Sequence, residues 1–348
     1  MDTLQALLKI SVNSQYYRMP YIENTSFSIV TPTWNRAGLL PRVHKSLTEQ
    51  TYKNFEWIVA DDGSSDDTKE VIYSLASNSS FPIRYIHFDL HVGKPTVDNA
   101  AIVLARGVLT LWCDSDDWLL PNALEEFWMA WNSIPEIHQI DYSGITALVA
   151  TKEGCITNPV PEAGWHDISW NDLSEKFHVT RDMVFCAQTH LLKANPFPEV
   201  DLVVPESSVW VELGFRPARL FSKVLKMTEY LVHDGISLAQ VMNYNRGRAH
   251  SLAITTNKLQ VYNPPLQLRL RRLVKFIRYS LHGEITLSDA RALWRNNSSS
   301  LSYLLMFPFG LLLALKDCIQ GKVRYSHREF VANRGRACMT IKSFPSSC

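Results

Sequence analysis

The run LTLWCDSDDWLLP, residues 109–121, places Asp114, Asp116 and Asp117 at the end of an apolar segment with the pattern of a buried strand. Three carboxylates in four residues repel one another. At about 6 Å and an effective dielectric near 20, each like-charge pair costs on the order of 3 kcal/mol. The cluster therefore calls for water, a cation or both, and an all-oxygen donor set selects hard divalent ions such as Mg or Mn. Three further polar clusters follow apolar segments upstream: TPTWNR (31–36), DDGSSDD (61–67) and HVGKPT (91–96). Any one of them is turn chemistry, since Asp, Gly, Ser and Pro are the usual turn formers. Four in succession need a common frame.

The elements between the clusters supply that frame. FSIVT (27–31), FEWIVA (55–60), IRYIHF (83–88) and VLTLW (108–112) read as short strands. Helix-period segments separate them: Leu39, Leu40, Val43 and Leu47 share one face, a second helix opens at Ser64 or Ser65, and a third runs from Thr96 to about Arg106. Alternation of this kind predicts an α/β fold, a mostly parallel sheet flanked by helices. Ligands of open α/β sheets bind beyond the carboxyl ends of the strands, where all four polar clusters fall. Past residue 140 the pattern weakens, with IDYSGITALVA as a further strand, a loop into a helix near 207, and a strand in RLFSKVLKMT followed by a polar turn.

The 348 residues, 46% hydrophobic and 20% charged, suffice for one large or two modest domains. Thirty-five basic against thirty-four acidic residues argue against bulk electrostatic binding of nucleic acid. Six scattered cysteines with no CxxC pair favour a reducing compartment, and the N-terminus matches a secretory signal poorly, so a cytoplasmic location is expected.

SIVTPTWNR, FEWIVADDGSSDDT, GKPTVDNAAIVLARG and LWCDSDD, in that order over residues 27 to about 130, resemble the family 2 glycosyltransferases. A looser likeness continues through VVPESSVW and HDGIS to about 240. The resemblance implies the A-type glycosyltransferase fold and an inverting transfer of sugar from a nucleotide-diphosphate donor, UDP by preference, to a hydroxyl of a glycan or lipid-linked acceptor in cell-surface polysaccharide synthesis. It implies Mn2+ or Mg2+ on Asp116, with Asp114, Asp117 and His233 as further candidates. Asp114 and Asp117 would otherwise contact ribose or order metal-bound water. Thr31 and Pro32 would line the base pocket, Asp61 or Asp62 would accept the uracil imide N–H or a ribose hydroxyl, and Arg36, Lys94 and Asn99 would meet the donor. The acceptor base would be Glu206, where Ser207 stands in place of the family's usual Asp, with Asp201 as its alternative. Trp165 and Trp210 are candidates for stacking on an acceptor sugar, and His233 and Asp234 lie where the family carries a mobile loop.

The expected organisation is an N-terminal extension (1–25), a catalytic domain (26–250) with nucleotide (26–135) and acceptor (136–250) halves, and a helical C-terminal region (251–348). In that region Arg269, Arg271, Arg272, Lys275 and Arg278 alternate with leucines, and the apolar run Ser302–Leu315 is shorter than the roughly 20 residues a spanning helix needs. It is read either as an interfacial segment on anionic lipid, at the inner face of the cell membrane, or as a buried helical pair. A nucleotidyltransferase or pyrophosphorylase is the rival enzyme class, though no glycine-rich, lysine-bearing loop follows the first strand. A non-catalytic nucleotide- or carbohydrate-binding module is the rival outside enzymes.

Overall fold

In the computed structural model, residues 11–12, 25–158, 164–177, 179, 182–229, 244–294, 300–323 and 326–346 are described. His233 and Asp234 lie outside these residues. Strands β1 (Ser11–Val12), β2 (Phe27–Thr33), β3 (Phe55–Asp61), β4 (Ile83–Phe88), β5 (Leu109–Trp112), β6 (Asp117–Leu119), β7 (Gly144–Thr151), β8 (Trp165–Ser169), β9 (Met183–Gln188), β10 (Pro217–Thr228) and β11 (Cys338–Phe344) form one sheet. Its order is β1-β11-β4-β3-β2-β5-β9-β7-β10-β6, with β8 on β10.

The expected parallel block is β4-β3-β2-β5. Its strands are buried on both faces, which is why they read as unbroken apolar runs. Phe27 and Ile29 point into a core under helices Leu40–Thr48, Thr68–Ser77 and Ala123–Asn132, and Val30 into a second core under helix Lys94–Leu104. Helices thus cover both faces, and the chain order reverses at β2, which has β3 on one side and β5 on the other. The crevice at such a switch point is where an open sheet admits a ligand. Beyond β5, antiparallel β9 and β6 interleave with β7 and β10.

The expected boundary at 250/251 falls inside helix Asn245–Lys258. Helices Leu266–His282, Leu287–Trp294 and Ser300–Ile319 follow and gather their own core around Leu273, Phe276, Trp294 and Tyr303. The apolar run is therefore a 20-residue helix, longer than its uninterrupted apolar stretch suggests, because Pro308 is accommodated inside it. The chain then returns through helix Ser326–Arg334, and β11 pairs antiparallel with β4.

Candidate active site

The loops leaving β2 and β3 lock together: Asn35 N–H donates to Ser64 Oγ (2.8 Å), Ser65 N–H to Asn35 Oδ1 (2.7 Å) and Ala37 N–H to Asp66 Oδ2 (2.9 Å). Asp66 also accepts from Thr68 N–H, opening the helix that the sequence assigned to Ser64 or Ser65. Gly63 makes the β3 turn at φ +73. Gly93, at φ +93, opens helix Lys94–Leu104, and a Cβ there would sit 2.5 Å from Leu202 Cα. This contact brings the 202–206 segment, and with it Glu206, to the helix N-terminus, where Lys94 N–H donates to Leu202 O (2.9 Å). Gly93→Ala is expected to cost about 2 kcal/mol through backbone strain and overpacking, read as a fall in the urea midpoint.

The acidic tip of β5 is neutralised by the chain itself. Each carboxylate faces its own cation: Asp114 Oδ1 lies 3.8 Å from Lys94 Nζ, Asp116 Oδ2 lies 3.2 Å from Arg36, and Asp117 is ion-paired with Lys226. Arg36 also donates to Ser115 Oγ (3.1 Å). Arg42 ties the loop down, donating to Asp116 O (2.9 Å), pairing with Glu229 and lying over the Trp118 ring.

Lys94 is the hub. Its ammonium reaches Asp98 Oδ2 (2.9 Å) and Glu206 Oε1 (3.1 Å) as well as Asp114. Burial works against its charge, but Asp98, Glu206 and Asp114 hold it well above the usual lysine range. In return Lys94 holds the Glu206 carboxyl below its usual range. The Glu206 side chain is 43% exposed and receives Trp210 Nε1–H on Oε2 (3.3 Å). Asp114 is different: its Oδ1 is buried with no hydrogen-bond partner, and burial pushes the carboxyl up to about 7 against the pull of Lys94. An anionic ligand entering here meets two cations, Arg36 and Lys94, already held by exchangeable carboxylates.

Arg36, Lys94, Asp114, Asp116 and Glu206 thus come together as the sequence expected. Other candidates do not face the crevice with free groups. Thr31 is fully buried, accepting from Trp57 Nε1–H (2.9 Å) and donating to Cys113 O (2.7 Å), and Pro32 is buried within β2. Asn99 is spent on the 197–199 turn, bonding Phe197 O, Phe197 N–H and Glu199. Asp201, fully buried, accepts Leu202 N–H and Gly247 N–H, so it anchors a helix start. Asp117 is 4% exposed and committed to Lys226 between β6 and β10. Asp61 and Asp62 are also engaged. Asp61 takes Ser64 N–H, Tyr85 O–H and His87 Nδ1, and Asp62 takes Val92 N–H (2.6 Å) and Gly93 N–H (2.9 Å) with His91 at 2.9 Å. Trp210 packs edge-on to Trp112 and Phe185, whereas Trp165 is 45% exposed on β8.

Several residues escaped the sequence reading. Asp98 stands four residues after Lys94, but the pairing stayed hidden because the helix was expected from Thr96 and in fact begins at Lys94. Lys226, a lysine inside an apolar strand, was the signal for a buried acidic partner. Trp34, 38% exposed, stacks at 4.1 Å on His91, joining the loops after β2 and β4 in a flat platform beside Asp62.

Residues 28–146 match the sequence model of the family described as Glycosyl transferase family 2. A putative colanic acid biosynthesis glycosyl transferase of Escherichia coli is 41% identical over 104 residues, 30% of this chain and 37% of the relative. A GalNAc(5)-diNAcBac-PP-undecaprenol beta-1,3-glucosyltransferase of Campylobacter jejuni is 28% identical over 224 residues, 63% of this chain and 69% of the relative. The chain thus spans little more than a third of the first and about two thirds of the second. Among solved structures, residues 1–349 of S. aureus TarS, in complex with UDP-GlcNAc, superpose with a TM-score of 0.55 at 16% identity over 89% of both chains. Residues 28–146 thus match a family 2 glycosyltransferase domain, and the chain as a whole shares the A-type fold of TarS.

Proposed function

We propose that the chain transfers a sugar from a nucleotide diphosphate, with uridine as the base, to a hydroxyl of a glycan or lipid-linked acceptor, with inversion. The observation that carries this reading is the convergence of Arg36, Lys94, Asp114, Asp116 and Glu206 at the switch point of the sheet. The UDP-GlcNAc complex of the structurally similar TarS supports the uridine donor, and the names of the bacterial relatives support an acceptor in polysaccharide or lipid-linked oligosaccharide assembly.

The Trp34–His91 platform offers a face for the base, and Arg36 and Lys94 offer charge to the diphosphate. An incoming diphosphate competes with Glu206 for Lys94. The released carboxylate then takes the acceptor proton as the hydroxyl oxygen bonds to the anomeric carbon from the far side, and the bond to the diphosphate oxygen breaks with its electron pair leaving on phosphate. Mn2+ or Mg2+ fits the donors present. These are hard carboxylate oxygens, one of them the Oδ1 of Asp114, which accepts no hydrogen bond, beside a partly exposed Asp116. Among the described residues no three acidic, His or Cys side chains already form a metal site, and Asp116 and Asp114 are the side chains that would hold the ion. Bound there, it would neutralise the departing diphosphate.

Thermal unfolding with UDP, GDP, CDP and dTDP, each with and without Mn2+, tests the donor class. UDP with Mn2+ is expected to give the largest rise, equivalent to about 2.7 kcal/mol at a hundredfold excess over Kd. Asp116→Ala is expected to abolish the Mn2+-dependent part of that rise. A shift with UDP that neither Mn2+ nor Asp116→Ala alters would sink the metal assignment, and no shift with any nucleotide would sink the donor reading.

A further inference from the structure

Helix Ser300–Ile319 packs through one narrow stripe, Tyr303, Gly310, Ala314 and Asp317, against helix Leu266–His282. Met306 and Phe307 are half-buried beside that stripe, and the outward side is mostly apolar and open: Leu301, Leu305, Phe309, Leu312, Leu315 and Ile319 are 51% to 86% exposed. A helix that is apolar all round belongs in a core or in lipid, and this one is not in the core. Among the described residues it is also the one helix long and apolar enough to cross a membrane.

Its packing argues that it does not cross. Asp317 is 2% exposed, held by the Arg278 guanidinium and by His282 Nε2 at 3.0 Å. Gly310 lets the two helices touch, since a Cβ there would lie 2.4 Å from Ile277 Cγ2. Threading the helix through a bilayer would strip Asp317 of both partners. The outer face must be covered from the side.

The charge around it says by what. Helix Leu266–His282 contains no acidic residue and exposes Arg269, Arg271 and Lys275, while Lys316 and Lys322 are exposed at the other end of the pair. We propose that this two-helix face docks on the surface of an anionic lipid bilayer, with the leucines at the acyl boundary and the basic side chains among the headgroups. The docking does not rest on the donor assignment.

The test is co-sedimentation of the full chain with phosphatidylcholine vesicles and with vesicles containing about 30% phosphatidylglycerol. The chain is expected to pellet with the anionic vesicles at least about tenfold more tightly than with neutral ones, and to be released by about 0.5 M salt. The double variant Leu305→Asp, Leu312→Asp should lose both modes. The triple variant Arg269→Gln, Arg271→Gln, Lys275→Gln should fall to the neutral-vesicle level. UDP binding by calorimetry on the same preparations reports folding in the variants, and its failure in the unsubstituted chain would count against the donor reading alone. Docking is overturned by no pelleting with anionic vesicles, by pelleting that survives the Leu→Asp changes, or by resistance to alkaline carbonate, which means spanning. It is equally overturned by a dimer in solution that those changes dissociate, which means the face belongs to a second copy.

Discussion

Glu206→Gln is expected to lower kcat by about a hundred- to ten-thousand-fold while leaving UDP bound at least as tightly. The amide keeps the shape of the side chain and its contact with Trp210; it gives up the charge that pairs with Lys94, which leaves that ammonium to the diphosphate, and the ability to take the acceptor proton, a contribution of that size for a positioned general base. The pH profile gives an independent check. In the free protein Lys94 holds the Glu206 carboxyl below its ordinary 4.5. The acidic limb of kcat/KM due to Glu206 should therefore lie below pH 4.5, since a depressed carboxyl stays ionised until the pH falls through its own pKa. Without the ammonium, as in Lys94→Met, that limb should move upward. Full activity in the glutamine variant would remove Glu206 from the reaction and leave the crevice without a base, because Asp201 is sealed beneath a helix start.

Lys94→Met is expected to damage stability and donor binding together. The substitution keeps the length of the stem but strands Asp98, which is 1% exposed and retains only Trp112 Nε1–H at 3.0 Å, beside Asp114 and Glu206. Removing one partner of a buried pair costs on the order of 3 kcal/mol, and Lys94 is 23% exposed, so that figure is an upper expectation. Urea unfolding should show a lower midpoint with an unchanged slope. Adding Asp98→Asn should restore much of the stability, because the stranded charge is gone, without restoring UDP affinity, because the diphosphate still lacks its cation. If the double variant recovers UDP binding as well, Lys94 is a fold residue only.

The nucleotide half of the fold was readable because physics wrote it locally: short doubly buried strands, helices with one apolar face, and polar loops at a constant end. The same logic pointed to Arg36, Lys94, Asp114, Asp116 and Glu206, all on those loops or at helix starts, and the structure places them near one another. Thr31, Asn99 and Asp117 bond other segments in the structure, since a polar side chain on a loop end has two possible partners, a ligand or another segment of the chain. Which one it takes depends on segments distant in sequence: Trp57 for Thr31, the 197–199 turn for Asn99, and Lys226 for Asp117. Antiparallel β6, β8 and β9 were missed for a related reason, since short strands are stabilised by neighbours whose pairing the sequence does not announce. The opening puzzle, how three adjacent carboxylates coexist, has an answer of the same kind. Their counter-charges come from three separate places in the chain, residues 36, 94 and 226.

Strand β11 and the helix before it reach back to the donor side of the sheet. Asn333 Nδ2–H donates to His91 O (2.7 Å), and Cys338 and Asp89 exchange backbone and side-chain bonds at the edge of β4. The loop that carries the Trp34 stack and braces Asp62 is thus finished by residues made some 240 positions later. Strands β2 to β5 are therefore made well before the residues that brace this loop. A chain truncated before residue 326, which lacks this brace, is expected to bind UDP more weakly than the full chain, as calorimetry on the two preparations would read.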